Sequence, residues 1–417
     1  MGLFGINRRR QRRGEFYIAL DLGTEKIKCT VFKNEEGNCH ILSKTEINHQ
    51  SGTMRGGMVI NIPEAVIDVR QVVDLAYQQA GETPRRAVFS LSGDLVKSLV
   101  TTVHYHRARP DAHIDSNELK NIIYKAQWKA LEQIRTLMAK EQEDNQLELK
   151  LINTTVIDTR IDGYKVTNPL NFQGGIITLS IFNSFATLVH LGAIQAIADA
   201  IDLDLISVTA GPYALTKSLL VDNPEFSAVF IDVGAHLTDV VVVNEGGIFG
   251  MQNFAFGGYA FTRNLATSLK ISLEQAEQIK LDYSQDLLDR RSATKVGNIL
   301  KITAKLWVKG VGEALDEFSH LNILPSKIFI AGGGATLPEI RSVLLTKSWS
   351  EHLPFEKKPY PAVIETTDVP NMVLNEAVEI NLSDMVVLGL AHLTLDLDSK
   401  DSTVGDMLRR IVINMQN

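Results

Sequence analysis

Three segments far apart in this chain each run an apolar strand into glycine beside a polar residue. Residues 18–24 read IALDLGT and are followed by Lys26 and an alternating strand over 27–32. Residues 228–239 read AVFIDVGAHLTD, with a second apolar run, 240–243, behind them. Residues 327–334 read KIFIAGGG and continue directly into 335–337. A strand ending in Asp-x-Gly lets backbone N–H groups approach phosphate oxygens, because glycine has no Cβ to block them. One such turn is common in α/β proteins. Three in this order predict strand ends that converge on one ligand.

The pattern places Asp21 and Asp232 across a cleft from each other, where they would hold Mg²⁺ through water, as that ion prefers. Gly23, Thr24, Lys26, Gly234, Ala235, His236 and Thr238 are the expected phosphate contacts. Gly332, Gly333 and Gly334 would lie flat against adenine or the α-phosphate. A helix capped by Ser272 carries Glu277 and Lys280 three apart on one face, suited either to a shared ligand or to a solvated ion pair. The upstream Gly257, Gly258 and Thr262 favour the ligand role.

These segments resemble the phosphate-1, phosphate-2 and adenosine motifs of actin, the DnaK-type chaperones and sugar kinases. Taken whole, the chain most resembles the bacterial cell-division family FtsA, from near Phe16 to near Leu395. Further stretches carry the resemblance: residues 55–62 (RGGMVINI), 88–93 (VFSLSG), Asp162-Gly163 with Asn168, Pro169, Leu170 and Gly174, and Gly257-Gly258, Thr262, Ala276, Glu277 and Lys280. The resemblance implies ATP with Mg²⁺ as cofactors, with Glu277 and Lys280 on the ribose hydroxyls. It also implies an α/β, actin-like two-lobed fold of two RNase H-like halves, with a 1C-type α+β insert and a C-terminal amphipathic helix.

Two departures from the family pattern bear on turnover. His236 and Leu237 stand where a small residue and a threonine are expected, crowding the γ-phosphate. Gly211 stands where hydrolysing relatives in the wider superfamily carry a Glu or Gln that orients water, a role that contributes a factor of about 10² to 10⁴. ATP binding with slow or negligible turnover is expected, Asp239 being the carboxylate able to compensate in part.

At 417 residues the chain implies two to four subdomains. A net charge of −7 argues against general nucleic-acid binding. Cys29 and Cys39 lack metal or C-x-x-C spacing and are expected to be buried thiols in a reducing cytosol. No apolar run reaches the roughly 18 residues needed to span a bilayer, and the basic start lacks the apolar core of a signal peptide.

The last sixteen residues carry a helical stripe of Val404, Met407, Leu408, Ile411, Val412 and Met415, flanked by Arg409 and Arg410 and preceded by a Thr403/Asp406 capping pattern. Such a helix either docks on the protein's own core or lies on an anionic membrane. Its place after a polar linker matches FtsA-like proteins and favours the membrane. Leu3, Phe4 and Ile6, followed by five arginines from Arg8 to Arg13, form either a second membrane contact or a solubilising tail.

The expected organisation is a basic tail at 1–14, subdomain 1A at 15–82, a 1C-like insert at 83–183, 1A again at 184–222, subdomain 2A at 223–250, subdomain 2B at 251–319, 2A again at 320–375, the end of 1A at 376–398, and linker plus membrane helix at 399–417. The insert would hold strands at 87–91, 151–159 and 176–182 and a long helix starting at an Asp115/Glu118 capping pattern, with Leu119, Ile122, Ile123, Ala126, Ala130, Ile134, Leu137 and Met138 on one face. By resemblance it serves self-association into filaments and contacts with other division proteins, while residues 251–319 receive the C-terminal tail of FtsZ. Lys301, Lys305, Lys309, Arg290 and Arg291 are the basic residues available to that tail. The implied function is an ATP-binding division scaffold on the cytoplasmic face of the cell membrane. A PilM-like pilus-assembly adaptor is the alternative, and a sugar-kinase-type phosphotransferase is disfavoured by the insert and Gly211.

Overall fold

A computed structural model describes residues 15–50, 52–141, 148–220, 225–318 and 321–398. The basic tail expected at 1–14 and the amphipathic helix expected at 402–417 lie outside the described residues.

The first lobe opens with the antiparallel strands β1 (Glu15–Leu22), β2 (Lys26–Glu35) and β3 (Asn38–Asn48). A small hairpin, β4 (Met54–Arg55) and β5 (Met58–Val59), leads into α1 (Ile62–Ala80). Asn61 caps α1 by accepting from the N–H of Glu64, Pro63 sits in its first turn, and Gly81 ends it at φ 70°, a left-handed cap that favours glycine. Strand β6 (Arg86–Leu91) then pairs parallel with β1.

A separate α+β unit follows: β7 (Val96–His106), α2 (Ser116–Glu141), β8 (Leu149–Ile161), β9 (Tyr164–Lys165) and β10 (Ile176–Thr187), with sheet order β7-β10-β8-β9. Leu119, Ile122, Ile123, Ala126, Ala130 and Ile134 bury one face of α2, the spacing of a half-buried helix. Leu137, expected on that face, is exposed. Asp115 caps the N–H groups of Asn117 and Glu118, but the Glu118 carboxylate is bound by Arg107 instead of completing the box. The chain returns through α3 (Leu188–Ala200), β11 (Asp204–Ala210), parallel to β6, and α4 (Gly211–Leu219).

The second lobe repeats the plan with β12 (Ala228–Val233), β13 (Thr238–Asn244), β14 (Gly247–Phe254), α5 (Gly258–Leu269), α6 (Leu273–Ser284), α7 (Arg290–Asp316), β15 (Lys327–Ala331), α8 (Pro338–Leu344) and β16 (Tyr360–Val363). Strand β17 (Met372–Leu374) and helix α9 (Met385–Asp398) close the first lobe. The sheet orders are β11-β6-β1-β2-β3-β17 and β14-β13-β12-β15-β16. Each contains an antiparallel three-strand meander whose first strand is joined by two parallel strands. This duplication is the expected actin-like, two-lobed α/β fold. Central strands such as β12 are apolar on both faces because helices cover both sides. Helix α7 contributes Val296, Leu300, Ala304, Trp307, Val308 and Val311 to the second core.

Three expected boundaries move. The strand at 87–91, assigned to the insert, is β6 of the main sheet, hydrogen-bonded between β1 and β11, so the inserted unit starts after it. The division at 250/251 cuts through β14, which stays paired with β13 as far as Phe254. Residues 372–374, assigned to the second lobe, pair parallel with β3 of the first. Cys29 and Cys39 are buried and free, as expected, and burial pushes both thiols upward.

Candidate functional site

The three glycine turns meet between the lobes. Strand β1 delivers Asp21 and turns at Gly23, where a Cβ would come 2.8 Å from the Lys26 carbonyl oxygen. Strand β12 delivers Asp232, with Asp239 of β13 directly opposite in register. The Gly234 N–H donates to the Leu237 carbonyl at 2.9 Å and closes that turn. Strand β15 ends at Ala331 beside Asp232, and Gly332 follows at φ 86°. A Cβ there would run into the Asp232 carboxylate and sit 2.5 Å from the Val233 carbonyl oxygen. Glycine is required at 332 by both backbone conformation and space.

Four carboxyl groups crowd this junction. Asp21 accepts from the Ser90 hydroxyl at 2.5 Å. Burial raises its pKa, Lys28 and the Ser90 bond oppose the rise, and Asp384 adds to it. Asp232 is pushed up to about 6 by burial and then by Asp21, with Lys28 opposing. Asp239 is raised well above its ordinary value by burial and by the charges of Asp232, Asp94 and Asp21. Its carboxylate abuts Gly93 of the first lobe, where a Cβ would collide with it. Asp94 is raised chiefly by burial. So much poorly compensated negative charge in a partly buried site suits a cation. Among the described residues no three His, Cys, Asp or Glu groups are arranged to ligate a metal directly.

Lys26 is held by Glu46 at 2.6 Å. Lys28 is the cross-strand neighbour of Asp21 and the lysine that lowers both cleft aspartates. It donates to the Ser383 carbonyl and lies 3.7 Å from Asp384. Lys28 carried no motif signal, although a hairpin that closes on the pair Leu22 and Ile27 sets it opposite Asp21. Ser383 and Asp384 carried no signal, because they reach the site only through the return of α9. Thr238 is corrected from phosphate contact to core: its hydroxyl donates to the Phe256 carbonyl at 2.7 Å and accepts from the Trp307 indole at 2.9 Å.

Gly257, Gly258 and Thr262 lock α5 to the second turn. Gly258 and Tyr259 donate to the carbonyls of Gly234 and Ala235 at 2.9 and 2.7 Å. A Cβ at Gly257 would stand 2.5 Å from the Gly234 oxygen. Ser272 and Gln275 form a full capping box on α6. Lys280 sits 2.8 Å from Glu277, 2.9 Å from the Thr262 hydroxyl and 3.2 Å from the Gly258 carbonyl, while Thr262 donates to Glu277. Lys280 is therefore buried and tied to the glycine turn through Thr262 and Gly258, while Glu277 keeps 44% of its side chain exposed. His236 faces Glu25 of the first lobe at 3.5 Å, and its ring centroid lies 4.8 Å from that of Tyr259. At Gly211 a Cβ would meet Val386 Cγ1 at 3.2 Å, so Val386 occupies the direction a longer side chain would take.

A family model described as cell division protein FtsA matches residues 229–346. The chain is 22% identical over 358 residues to cell division protein FtsA of Bacillus subtilis (strain 168), covering 79% of this chain and 76% of that protein. It is 21% identical over 348 residues to cell division protein FtsA of Streptococcus pneumoniae serotype 2, covering 78% and 72%. Among solved structures, a chain of a PilM-PilN type IV pilus biogenesis complex matches with a TM-score of 0.66 at 15% identity, covering 91% of this chain and 98% of that one. That last likeness is one of fold. The resemblance to FtsA read from the motifs holds along most of the chain.

Proposed function

We propose that this chain, FtsA-like in sequence and actin-like in fold, binds ATP with Mg²⁺ between its lobes and acts as a cell-division scaffold. The observation that carries this is the meeting of three glycine-ended strands around Asp21 and Asp232, with raised carboxyls that a cation would relieve. The glycine cradles and the surplus of acid fit a metal-bound nucleotide. Asp21 and Asp232 would hold Mg²⁺ through water. Gly23, Thr24, Gly234, Ala235 and His236 would line the phosphates, with Lys28 adding positive charge. Gly332, Gly333 and Gly334 would receive adenine or the α-phosphate, and Glu277 and Lys280 the ribose. Bound Mg²⁺ supplies charge neutralisation at the phosphates. Turnover is slow, because Gly211 packed against Val386 leaves no side chain there to orient water.

The curated relatives bear the name of a division protein, which supports tethering of FtsZ filaments to the cytoplasmic face of the membrane through residues 402–417. The FtsZ tail would dock on the region around α7, where exposed Ile302 and Leu306 alternate with exposed Lys301, Lys305 and Lys309. Self-association and contacts with other division proteins are assigned to the inserted α+β unit. Co-sedimentation with anionic vesicles and an FtsZ tail peptide, with and without ATP, tests the proposal. The full chain should bring the peptide down, and a chain ending at residue 401 should not. Vesicle binding without any peptide capture would favour the pilus-adaptor alternative, to which the PilM-PilN likeness lends its fold.

A further inference from the structure

Glu25 is the last residue of the three-residue turn between β1 and β2, in the sequence Gly23-Thr24-Glu25. Its carboxylate bridges the cleft to His236, in the opposed turn of the second lobe, at 3.5 Å. Every neighbour that sets its charge is basic. The bond to His236 draws its pKa down first, burial opposes, and the charges of His236, Lys280 and His49 draw it down further. These partners are themselves fixed. His49 lies 3.0 Å from the Gly23 carbonyl and 3.4 Å from Asp68. His236 packs on Tyr259, whose N–H is bound to Ala235. Lys280 is held by Glu277, Thr262 and Gly258. An acid thus stands between the first two glycine turns, with His236 of the second lobe as its near partner at 3.5 Å, where the end of a polyphosphate would meet the same imidazole.

We propose that Glu25 is a specificity-determining residue that stands in for a terminal phosphate and biases the cleft toward nucleoside diphosphate over triphosphate. This rests on the nucleotide reading of the cleft. A diphosphate leaves the Glu25–His236 pair in place. A triphosphate brings further negative charge toward the same basic groups and must displace the carboxylate, which like-charge repulsion makes unfavourable.

The test is calorimetric titration of the full chain and of Glu25→Gln with Mg²⁺-ADP and Mg²⁺-ATP. The Glu25 side chain is more than half exposed, so the variant keeps its fold, which its thermal unfolding midpoint verifies. The wild type should bind ADP at least as tightly as ATP. Glu25→Gln should tighten ATP by roughly tenfold, the scale of a partly screened charge contact, and leave ADP within about twofold. ATP and ADP affinities that move together, or that do not move, overturn the assignment of Glu25 while leaving nucleotide binding standing. No uptake of either nucleotide by either protein overturns both.

Discussion

The raised pKa of Asp232 implies that the cleft trades stability for function, and Asp232→Asn measures the trade. Its carboxyl rises from 3.8 to about 6 in the folded chain. At about 1.4 kcal/mol for each tenfold in proton affinity, that corresponds to roughly 3 kcal/mol of unfavourable charge when the group is ionised. The folded value lies above the unfolded one, so the folded chain binds the proton more tightly. Stability from protonation is therefore fully present below pH 3.8 and is lost as pH rises through about 6. An asparagine keeps the shape and removes the charge. In nucleotide-free, metal-free urea titrations, Asp232→Asn should be more stable than wild type by about 2 to 3 kcal/mol at pH 7.5, with the gain shrinking toward zero near pH 4. Addition of Mg²⁺-ATP should stabilise only the wild type. A variant less stable than wild type at pH 7.5, or a gain independent of pH, would refute the electrostatic reasoning.

Gly332→Ala should destabilise the second lobe by at least about 2 kcal/mol, since φ of 86° and the nearby Asp232 carboxylate both oppose a Cβ; an unchanged thermal midpoint would contradict this. Thr238→Val should cost about 1 to 3 kcal/mol by leaving the Trp307 indole and the Phe256 carbonyl without their shared partner, readable from the urea midpoint and near-ultraviolet dichroism of the tryptophan. Purified protein should hydrolyse ATP more slowly than about one turnover per minute, because the position able to contribute about 10² to 10⁴ is Gly211; phosphate release clearly above that rate would show that another group, Asp239 first, orients water.

The strands that end at the site were legible because their signals are local, an apolar run into glycine beside a polar residue, while the two-lobed fold followed from the family resemblance those motifs carry. Residues 18–24, 228–239 and 327–334 each end a strand where expected, and the turn after each faces the same cleft. Helix α6 was legible from Ser272, whose cap acts within a few residues. Pairings between distant segments were not. Nothing in residues 86–91 distinguishes a strand of the main sheet from one of the insert, since a short, nearly continuous buried run suits either. The role of Thr238 was obscured for the same reason: whether its hydroxyl faces phosphate or Trp307 depends on a helix 69 residues away. Glu25 and His236 gain their meaning only when the two lobes meet.

The proposed function requires Asp21 and Asp232 to clasp one metal-bound nucleotide between the lobes. Isothermal titration of the full chain with Mg²⁺-ATP and Mg²⁺-ADP, beside the Asp21→Asn and Asp232→Asn variants, measures that claim directly. Saturable, Mg²⁺-dependent uptake at one site per chain, lost or severely weakened in both variants, is the predicted result. Absence of heat and of any bound adenine nucleotide in the wild type, or equal binding by the variants, would contradict it.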